Sequence, residues 1–258
     1  MKKDKMFLPF LIDENNDIAV FYKPPLLLTC PDRWDKNREN LMNIIHQKWS
    51  PNWFNAHRLD FETSGIIVCA KNKETLTAIS TQFAERTVHK KYIAIVTNRP
   101  PHDNGRINLK IRSDEKHGRV WISQSEGSRA ITDYTVLIAW RNHSLVIAEP
   151  ITGRLHQIRV HFAASGFPVV CDSVYGKAQL LYLSSIKPEY KKSSSKETPL
   201  LNRLALHAFY ISFMNPRDGK TIEIKCPLPH DMCLAIKYLN KFSNPLKLSH
   251  DYAFEQLT

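Results

Sequence analysis

Residues 57–65 read HRLDFETSG and lead directly into the apolar run IIVCA at 66–70. Thr63-Ser64-Gly65 is typical of a turn, and the five apolar residues after it predict a short buried strand. The sequence therefore places an arginine, Arg58, and a carboxylate, Asp60, just before a strand that enters the core. Such a pair is either an ordinary surface feature or part of an active site, and the rest of the chain has to decide between the two.

Composition limits the class of protein without identifying it. The chain has 258 residues, enough for one large domain or two small ones, and 43% of them are apolar, which is close to the norm for globular proteins. Lys and Arg number 36 against 25 Asp and Glu, which gives a formal net charge of +11. This excess favours polyanionic partners, above all nucleic acid. Charge alone is equally compatible with a basic protein that binds no polyanion.

The five cysteines are odd in number and irregularly spaced, so they do not predict a disulfide framework, and a reducing compartment fits them. Cys226 and Cys233 flank His230, but one such pair with a single histidine is a weak zinc signal. We interpret these cysteines as buried thiols.

Nothing in the sequence predicts export or membrane insertion. The apolar stretch MFLPFLI follows Lys2-Lys3, yet it is too short for a signal peptide, contains Pro9 and lacks a cleavage site. No apolar run approaches the length of a transmembrane helix. We expect a soluble, cytoplasmic protein.

Hydrophobic periodicity predicts an α+β protein with a mostly antiparallel mixed sheet flanked by a few helices and loops. Predicted helices are LMNIIHQKW, ETLTAISTQFAER, LHQIRVHFAASG and DMCLAIKYLNKF. Predicted strands are IAVF, IIVCA, HKKYIAIV, RINLKI, RVWIS, AITDYTVLIAW, HSLVIAE, LALHAFYISF and TIEIKCP. Residues 187–199 are polar and flanked by proline, so we expect a mobile loop there, and the order of the tail at 243–258 is left open.

Arg154 is placed where a cation is unfavourable. It falls in the predicted first turn of the helix LHQIRVHFAASG, where the macrodipole disfavours positive charge, and Arg159 and His156 lie close to it. A phosphate or a carboxylate such as Asp60 would compensate. The alternative is an exposed arginine whose guanidinium reaches water, and Arg154 taken alone favours that alternative.

Four segments taken together resemble, in order, the signature segments of the RluA-type pseudouridine synthases: HRLDFETSGIIVCAKN, HKKYIAIV, ITGRLHQIRVHFAASGFPVVCDSVYG and LALHAFYISFMNP. The opening stretch IDENNDIAVFYKPPLLLTCP is similar to that family's first strand and Lys-Pro turn, so the resemblance spans residues 12–229. One departure concerns the family's K-P-x-G turn, which here reads Lys23-Pro24-Pro25-Leu26 without a glycine. This puts the local geometry of the turn in doubt.

The resemblance implies that Asp60 is the catalytic carboxylate and that Arg154 pairs with it. Pseudouridine formation breaks the bond from uracil N1 to ribose C1′, turns the base and rejoins it through C5. The carboxylate either attacks C1′ or removes the 2′ proton, and the sequence leaves both mechanisms open. Both need an ionised aspartate, which a neighbouring arginine favours.

The same resemblance assigns supporting roles. It implies that Tyr92 lies against the target base and that Leu206 lines an apolar pocket, although a strand tyrosine and leucine are ordinarily core residues. Arg58, His57 and Arg159 are assigned to RNA binding and base flipping, with Arg58 displacing the target nucleotide from its stack. The remaining histidines are interpreted as structural or RNA-facing, since the implied chemistry uses no metal and no cofactor.

The expectation is therefore a single catalytic domain over residues 1–258, with its active-site cleft across the sheet and no appended RNA-binding domain. We expect a monomer that acts on ribosomal or transfer RNA. Two rivals remain: a non-catalytic RNA-binding protein of the same fold, which has no need of the Asp60 carboxylate, and a base-releasing hydrolase. The second would require a general base for water, and no further carboxylate motif supplies one.

Overall fold

A computed structural model describes residues 8–32, 35–114, 118–177, 179–191 and 196–248 of the chain. Internal contacts divide the protein into two compact units: a first unit of residues 1–91 with 207–226, and a second unit of residues 92–206 with 227–258. The first unit is thus made of two separate segments of chain, and most of the second lies between them in the sequence.

The first unit is a mixed sheet with two helices. Its strands are β1 (Phe10–Glu14), β2 (Ile18–Lys23), β3 (Phe54–Asn55), β4 (Ser64–Ala70), β11 (Leu206–Met214) and β12 (Thr221–Lys225), and only the first residue of β11, Leu206, belongs to the second unit. Its helices are α1 (Leu41–Lys48) and α2 (Lys73–Glu85). Strand β4 pairs antiparallel with the whole of β2 and, at its start, parallel with β11. Strands β1 and β12 extend the sheet beyond β2 and β11.

Both helices begin at an asparagine, as local capping rules favour. The Asn40 side chain accepts a hydrogen bond from the Asn43 amide at 2.9 Å, and the Asn72 side chain accepts one from the Thr75 amide at 2.8 Å. The sheet and α2 then enclose one hydrophobic core, whose buried members include Ile18, Val20, Ile66, Val68, Ile79, Ile211 and Phe213.

The second unit contains an antiparallel four-stranded sheet in the order β5, β10, β9, β6. Its elements are β5 (His89–Thr97), which starts in the first unit, β6 (Asn104–Asn108), β7 (Lys110–Asp114), β8 (Arg119–Ser123), β9 (Ile131–Ala139), β10 (His143–Pro150), α3 (Gln157–Ala164) and α4 (His230–Phe242). Strands β7 and β8 form a separate hairpin whose inner side packs on α3 through Ile111, Val120 and Val160.

The predicted class, α+β with mostly antiparallel pairing, is confirmed, and each predicted helix is present. One strand prediction is wrong: RINLKI is two strands, because Leu109 separates β6 from β7 and the Leu109 carbonyl lies 3.2 Å from His161 Nε2. The prediction of one domain with a cleft across its sheet stays a prediction.

The two segments of uncertain order are described in part. Residues 187–191 and 196–199 contain no helix or strand, and 192–195 lie outside the described residues. In the tail, the Leu246 amide donates to the Ala139 carbonyl at 2.8 Å, and 249–258 lie outside the described residues. None of the helices in the described ranges is long and apolar enough to cross a membrane.

Gly65 is required where β4 and β11 run parallel. Its φ is +126°, and a Cβ built there would lie 2.3 Å from the Ala208 carbonyl oxygen and 2.6 Å from the Ala208 nitrogen. These are main-chain atoms that cannot rotate away, so the contact between the two strands depends on the missing side chain.

We expect Gly65→Ala to lower the free energy of unfolding by about 3–5 kcal/mol, since it combines an unfavourable φ with a clash against main chain. Urea denaturation measures the change. Gly166→Ala is the matched control: Gly166 has φ +88° but nothing within 4 Å of its missing Cβ. The control should lose only about 1–2 kcal/mol, and equal losses in the two variants would show that the close approach at Ala208 is unimportant.

Candidate active site

The backbone before Asp60 is held by one threonine. The Thr29 hydroxyl accepts a hydrogen bond from the Leu59 amide at 3.1 Å and donates one to the Leu59 carbonyl at 3.0 Å. Both residues are buried, so water does not compete for these groups. The position of the Asp60 main chain is therefore set from outside its own loop.

The backbone after Asp60 is held by a buried lysine. Lys23 has no exposed surface, and its ammonium donates to the carbonyls of Pro24 at 2.9 Å, Leu27 at 2.7 Å and Phe61 at 3.3 Å. One cation thus connects the turn at 24–27 with the residue next to Asp60. Sequence reasoning missed this role, although a lysine that directly precedes two prolines at the end of an apolar strand was a usable signal.

The Asp60 carboxylate itself is partly exposed. Among the described residues of the first unit it has no hydrogen-bond or ion-pair partner. The Asp60 carbonyl accepts from the Thr63 amide at 3.2 Å, and the buried Thr63 hydroxyl has no hydrogen-bond partner in the described part of that unit. A buried hydroxyl without a hydrogen bond is unusual, because it lowers the stability of the folded protein by about 1–3 kcal/mol. Contacts from Thr29 and Lys23 thus hold the backbone of the loop on both sides of Asp60, while its carboxylate has no such partner in the described part of the first unit.

Positive charge and aromatic surface surround this loop. Arg58 is exposed and has no hydrogen-bond or ion-pair partner within the described residues of its unit. Burial raises the pKa of the Cys30 thiol, and the charge of Arg58 opposes that rise, which places the guanidinium near Cys30. On another side Arg38 lies over the Phe61 ring, with its Cζ 4.5 Å from the centroid. Arg58 is thus available to an anionic or aromatic ligand.

His57 has a structural position instead. Its Nε2 accepts a hydrogen bond from the Val68 amide at 3.1 Å, and its ring lies 5.0 Å from the Phe83 ring, centroid to centroid. Burial, with a smaller contribution from the charge of Lys90, lowers the pKa of His57 to about 3. A neutral ring bonded to the main chain supplies no positive charge to a phosphate, so the geometry does not favour the predicted RNA contact of His57.

Tyr92 and Leu206 lie in the second unit, on strands. Tyr92 is half-buried near the start of β5, where it is paired with Ala148 of β10. Leu206 is the first residue of β11 and is 3% exposed. Both positions agree with the predicted strands, and the functional roles of the two side chains stay predictions.

Arg154 lies before helix α3 and not in its first turn, which corrects the prediction. The helix begins at Gln157, and His156 precedes it with φ +52°. The buried Gln157 side chain explains this start: its Oε1 accepts from the Arg154 amide at 3.0 Å and from the Thr152 hydroxyl at 2.7 Å, while its Nε2 donates to the Ile131 carbonyl at 2.9 Å. Gln157 thereby positions the exposed Arg154 against β9.

Arg159 is buried and paired, so it does not present its charge to a ligand. Its guanidinium makes two hydrogen bonds to Asp172, at 2.8 and 2.9 Å, and the residue is 1% exposed. Burial would raise the pKa of Asp172, but the Arg159 hydrogen bonds and charge, with the amides of Tyr175 and Val174, hold it below its usual value. The predicted RNA contact of Arg159 is not supported by this geometry, which instead ties the 171–176 loop to α3.

The outer face of the β7–β8 hairpin carries cations and an aromatic ring. Arg112 is paired across the hairpin with Trp121, which is 44% exposed, and Lys110 and Arg119 lie on the same face by strand alternation. The Arg112 Cζ lies 5.8 Å from the Trp121 ring centroid, and Arg112 also pairs with Glu126. Exposed cations beside an exposed aromatic ring are typical of single-stranded nucleic-acid contacts.

The sequence-predicted site residues fall into two sets. Asp60, Arg58 and His57 belong to the first unit, and Tyr92, Arg154, Arg159 and Leu206 belong to the second. The predicted ion pair between Asp60 and Arg154 joins residues of different units and stays a prediction. In the described ranges, no group of three or more His, Cys, Asp or Glu side chains could hold a metal ion.

The chain is similar in sequence and in fold to proteins of one known family. A family model described as RNA pseudouridylate synthase matches residues 17–164, a range that contains Asp60, Tyr92 and Arg154. Solved structures with a similar fold include human RNA pseudouridylate synthase domain containing 1, with a TM-score of 0.69 and 27% identity, covering 100% of this chain and 96% of that one. Human RNA pseudouridylate synthase domain containing 4 also has a TM-score of 0.69, at 24% identity, covering 93% and 94%.

Curated relatives agree with the family model. The uncharacterized RNA pseudouridine synthase YlyB of Bacillus subtilis is 35% identical over 72% of this chain and 55% of its own length. Ribosomal large subunit pseudouridine synthase D of Borreliella burgdorferi is 36% identical over 65% and 54%. The dual-specificity RNA pseudouridine synthase RluA of Escherichia coli is 31% identical over 84% and 92%. The chain thus spans about half the length of the first two relatives and nearly all of the third.

The neutral state of the half-buried His57 ring predicts a pH dependence of stability. Its pKa is about 3 in the folded protein against 6.5 for an unperturbed histidine, so between these values the unfolded chain binds the additional proton. Stability therefore falls as the pH falls from about 6.5, by up to about 1.4 kcal/mol per pH unit. His57→Gln keeps a side-chain acceptor and should remove this dependence, giving a shallower decline in urea denaturation between pH 6.5 and 4.5.

The control for this prediction is the pH range above 7.5, where neither state of His57 is protonated. There the wild type and His57→Gln should change in parallel. Equal slopes for the two proteins below pH 6.5 would mean that His57 binds its proton in the folded state as readily as in the unfolded chain.

Proposed function

The chain belongs to the RNA pseudouridylate synthase family, and we propose on this premise that it isomerises uridine to pseudouridine in RNA, with Asp60 as its catalytic carboxylate. The observation that carries the proposal is the Asp60 loop, fixed on one side by Thr29 and on the other by Lys23 while its carboxylate stays partly exposed. A catalytic group has to be held in place by groups other than itself, and this loop meets that requirement.

The proposed reaction needs no net oxidation and no added group. The bond from uracil N1 to ribose C1′ breaks, the base turns within the site, C5 bonds to C1′, and the hydrogen at C5 leaves as a proton. Asp60 acts either by adding to C1′ or by removing the 2′ proton. In both cases the carboxylate must be ionised, and we assign Arg154, whose backbone Gln157 holds, to stabilise its charge.

Two further residues are assigned to the base. Tyr92 projects from the half-buried start of β5, where a phenol ring can lie against a uracil and accept or return a proton at C5. Leu206 begins β11 in a nearly buried position and is assigned to the apolar side of the base pocket. These assignments follow the family resemblance of the segments that contain the two residues.

Arg58 is assigned to base flipping. A nucleotide stacked in folded RNA cannot reach a carboxylate until it leaves the stack, at a cost of a few kcal/mol. Arg58 is exposed and lies two residues before Asp60, which supports the assignment, since a planar guanidinium that enters the vacated position can stack and donate hydrogen bonds.

The substrate class is proposed as ribosomal RNA, transfer RNA or both. Relatives named for the ribosomal large subunit and a relative named as dual-specificity match the chain at similar identity. The net charge of +11 and the outer face of the β7–β8 hairpin supply the positive surface that either RNA requires.

Asp60→Asn should reduce turnover by at least about 10³-fold while leaving RNA affinity within about twofold, since the basic surface is untouched. Isomerisation expels the hydrogen at C5, so the measurement is tritium release from C5-labelled uridine in separate ribosomal and transfer RNA fractions. The matched control is Glu62→Gln, which removes a carboxylate from the same loop and should retain most of the activity. Turnover surviving in Asp60→Asn would assign the chemistry to another residue, and RNA binding without release by the wild type would favour a non-catalytic RNA-binding protein.

Arg58→Ala should slow turnover by about tenfold or more on a uridine stacked within a folded stem-loop, and by less than about threefold on the same uridine in an unstructured strand. The difference reflects the cost of unstacking, which only the folded substrate pays. The control variant Arg141→Ala removes another exposed arginine and should leave turnover unchanged on both the folded and the unstructured substrate. Equal slowing of Arg58→Ala on both substrates would exclude the base-flipping role and leave a simple phosphate contact.

A further inference from the structure

A leucine occupies a backbone conformation that leucine ordinarily avoids. Pro25 and Leu26 form the turn that follows β2, and Leu26 has φ +60°. A turn with positive φ at its third residue normally selects glycine or asparagine, because the Cβ of other residues crowds the following carbonyl. Leu26 therefore holds strain that a glycine at this position would not.

Packing does not compensate for this strain. The Leu26 residue is 54% exposed, so its side chain gives up much of the stabilisation that a buried leucine provides. The other non-glycine residues with positive φ in the described ranges are Arg86, Asn98, His156, Cys171, Glu189 and Asn244. Of these the apolar Cys171 is buried and the rest are polar, so Leu26 combines positive φ with an exposed apolar side chain. Strain retained at an exposed residue indicates a role outside the fold.

The turn is rigidly connected to the Asp60 loop. The Lys23 ammonium donates to the carbonyls of Pro24 and Leu27, on both sides of Leu26, and also to the carbonyl of Phe61, directly after Asp60. Because one nitrogen atom binds all three oxygens, the two segments lie side by side, and neither can move without breaking a charge-assisted hydrogen bond to the buried Lys23 ammonium. Leu26 is thus held in a fixed relation to the proposed catalytic loop.

We propose that Leu26 is a substrate-contacting residue whose side chain packs on the face of an unpaired RNA base at, or next to, the target uridine. The inference rests on the proposed function and adds a specificity-determining contact to it. The exposed cation of Arg58 on the Asp60 loop suits phosphate and base edges, whereas the exposed leucine of the neighbouring turn suits the flat apolar face of a base. Since the contact is apolar, it contributes to affinity without changing how strongly affinity depends on salt.

Leu26→Gly tests the proposal because it removes the side chain and the strain together. Its Tm should stay equal to that of the wild type or rise by about 2–4 °C, as relieved strain predicts for a chain of this size. In the tritium-release assay, on whichever RNA fraction the wild type modifies, KM should rise about fivefold with kcat within about twofold, which matches the loss of a half-buried apolar contact. The slope of log KM against log salt concentration should be the same for Leu26→Gly and the wild type. The variant Leu26→Met, which keeps a large apolar side chain, should have the wild-type KM.

Arg86→Gly is the matched control. Arg86 has φ +63°, is exposed and ends α2 in the first unit, away from the turn and the Asp60 loop in sequence. Its replacement by glycine should change Tm in the same direction as Leu26→Gly and should leave KM and kcat unchanged. The pair of variants separates relief of strain from loss of an RNA contact.

Several outcomes would overturn the proposal. A fall in Tm of several degrees for Leu26→Gly would show that the leucine packs within the protein, and a raised Tm with unchanged KM would show strain without an RNA contact. Should the wild type release no tritium, the proposed function fails and the Leu26 contact is judged from the dissociation constant for the same RNA fraction. A fivefold weaker complex of Leu26→Gly, with Arg86→Gly unchanged, would support the contact, and equal affinities would exclude it.

Discussion

The geometry of the candidate site in the first unit depends on the hydrogen bonds that the buried Lys23 ammonium donates to three main-chain carbonyls. Removing a cation from water costs several kcal/mol, and three carbonyls replace its hydration here. These carbonyls belong to a turn and to the Asp60 loop, two segments that share no sheet pairing with each other. The stabilisation of the charge is therefore available only when both segments are in place, which makes the lysine a positioning residue for the loop.

Local pattern predicted the elements because their causes are local. Apolar residues at helical spacing predicted α1 and α2, and the apolar run at 66–70 predicted β4. The Asp60 loop was identified in the same way, from a turn signal next to charged residues, with the family resemblance adding its role. Its rigidity was not predicted, because Thr29 and Lys23 are 30 and 38 residues distant from the groups they hold.

The errors likewise have long-range causes. Helix α3 starts at Gln157 because that side chain bonds Ile131 and Thr132, 26 and 25 residues away, and no periodicity in the helix itself records those bonds. Arg159 was assigned to RNA binding, and the geometry does not support that contact because Asp172, 13 residues further along the chain, gives the guanidinium a buried partner. Arg203 repeats this arrangement with Asp231 at 2.6 and 2.7 Å. Basic residues of the second unit thus stabilise loops as well as contributing to the net charge.

The parallel pairing of β4 with β11 has a consequence for the growing chain on the ribosome. Ser64 and His207, whose side chains lie 3.0 Å apart, are separated by 143 positions in the sequence. At about 5–20 residues per second, β4 is synthesised roughly 7–30 s before β11 emerges. During that interval the Gly65 edge of β4, a strand whose residues are all buried in the folded protein, lacks its partner and can pair with another nascent chain. Translation speed over residues 70–207, and chaperone occupancy of that edge, should therefore decide how much of this protein reaches its native state.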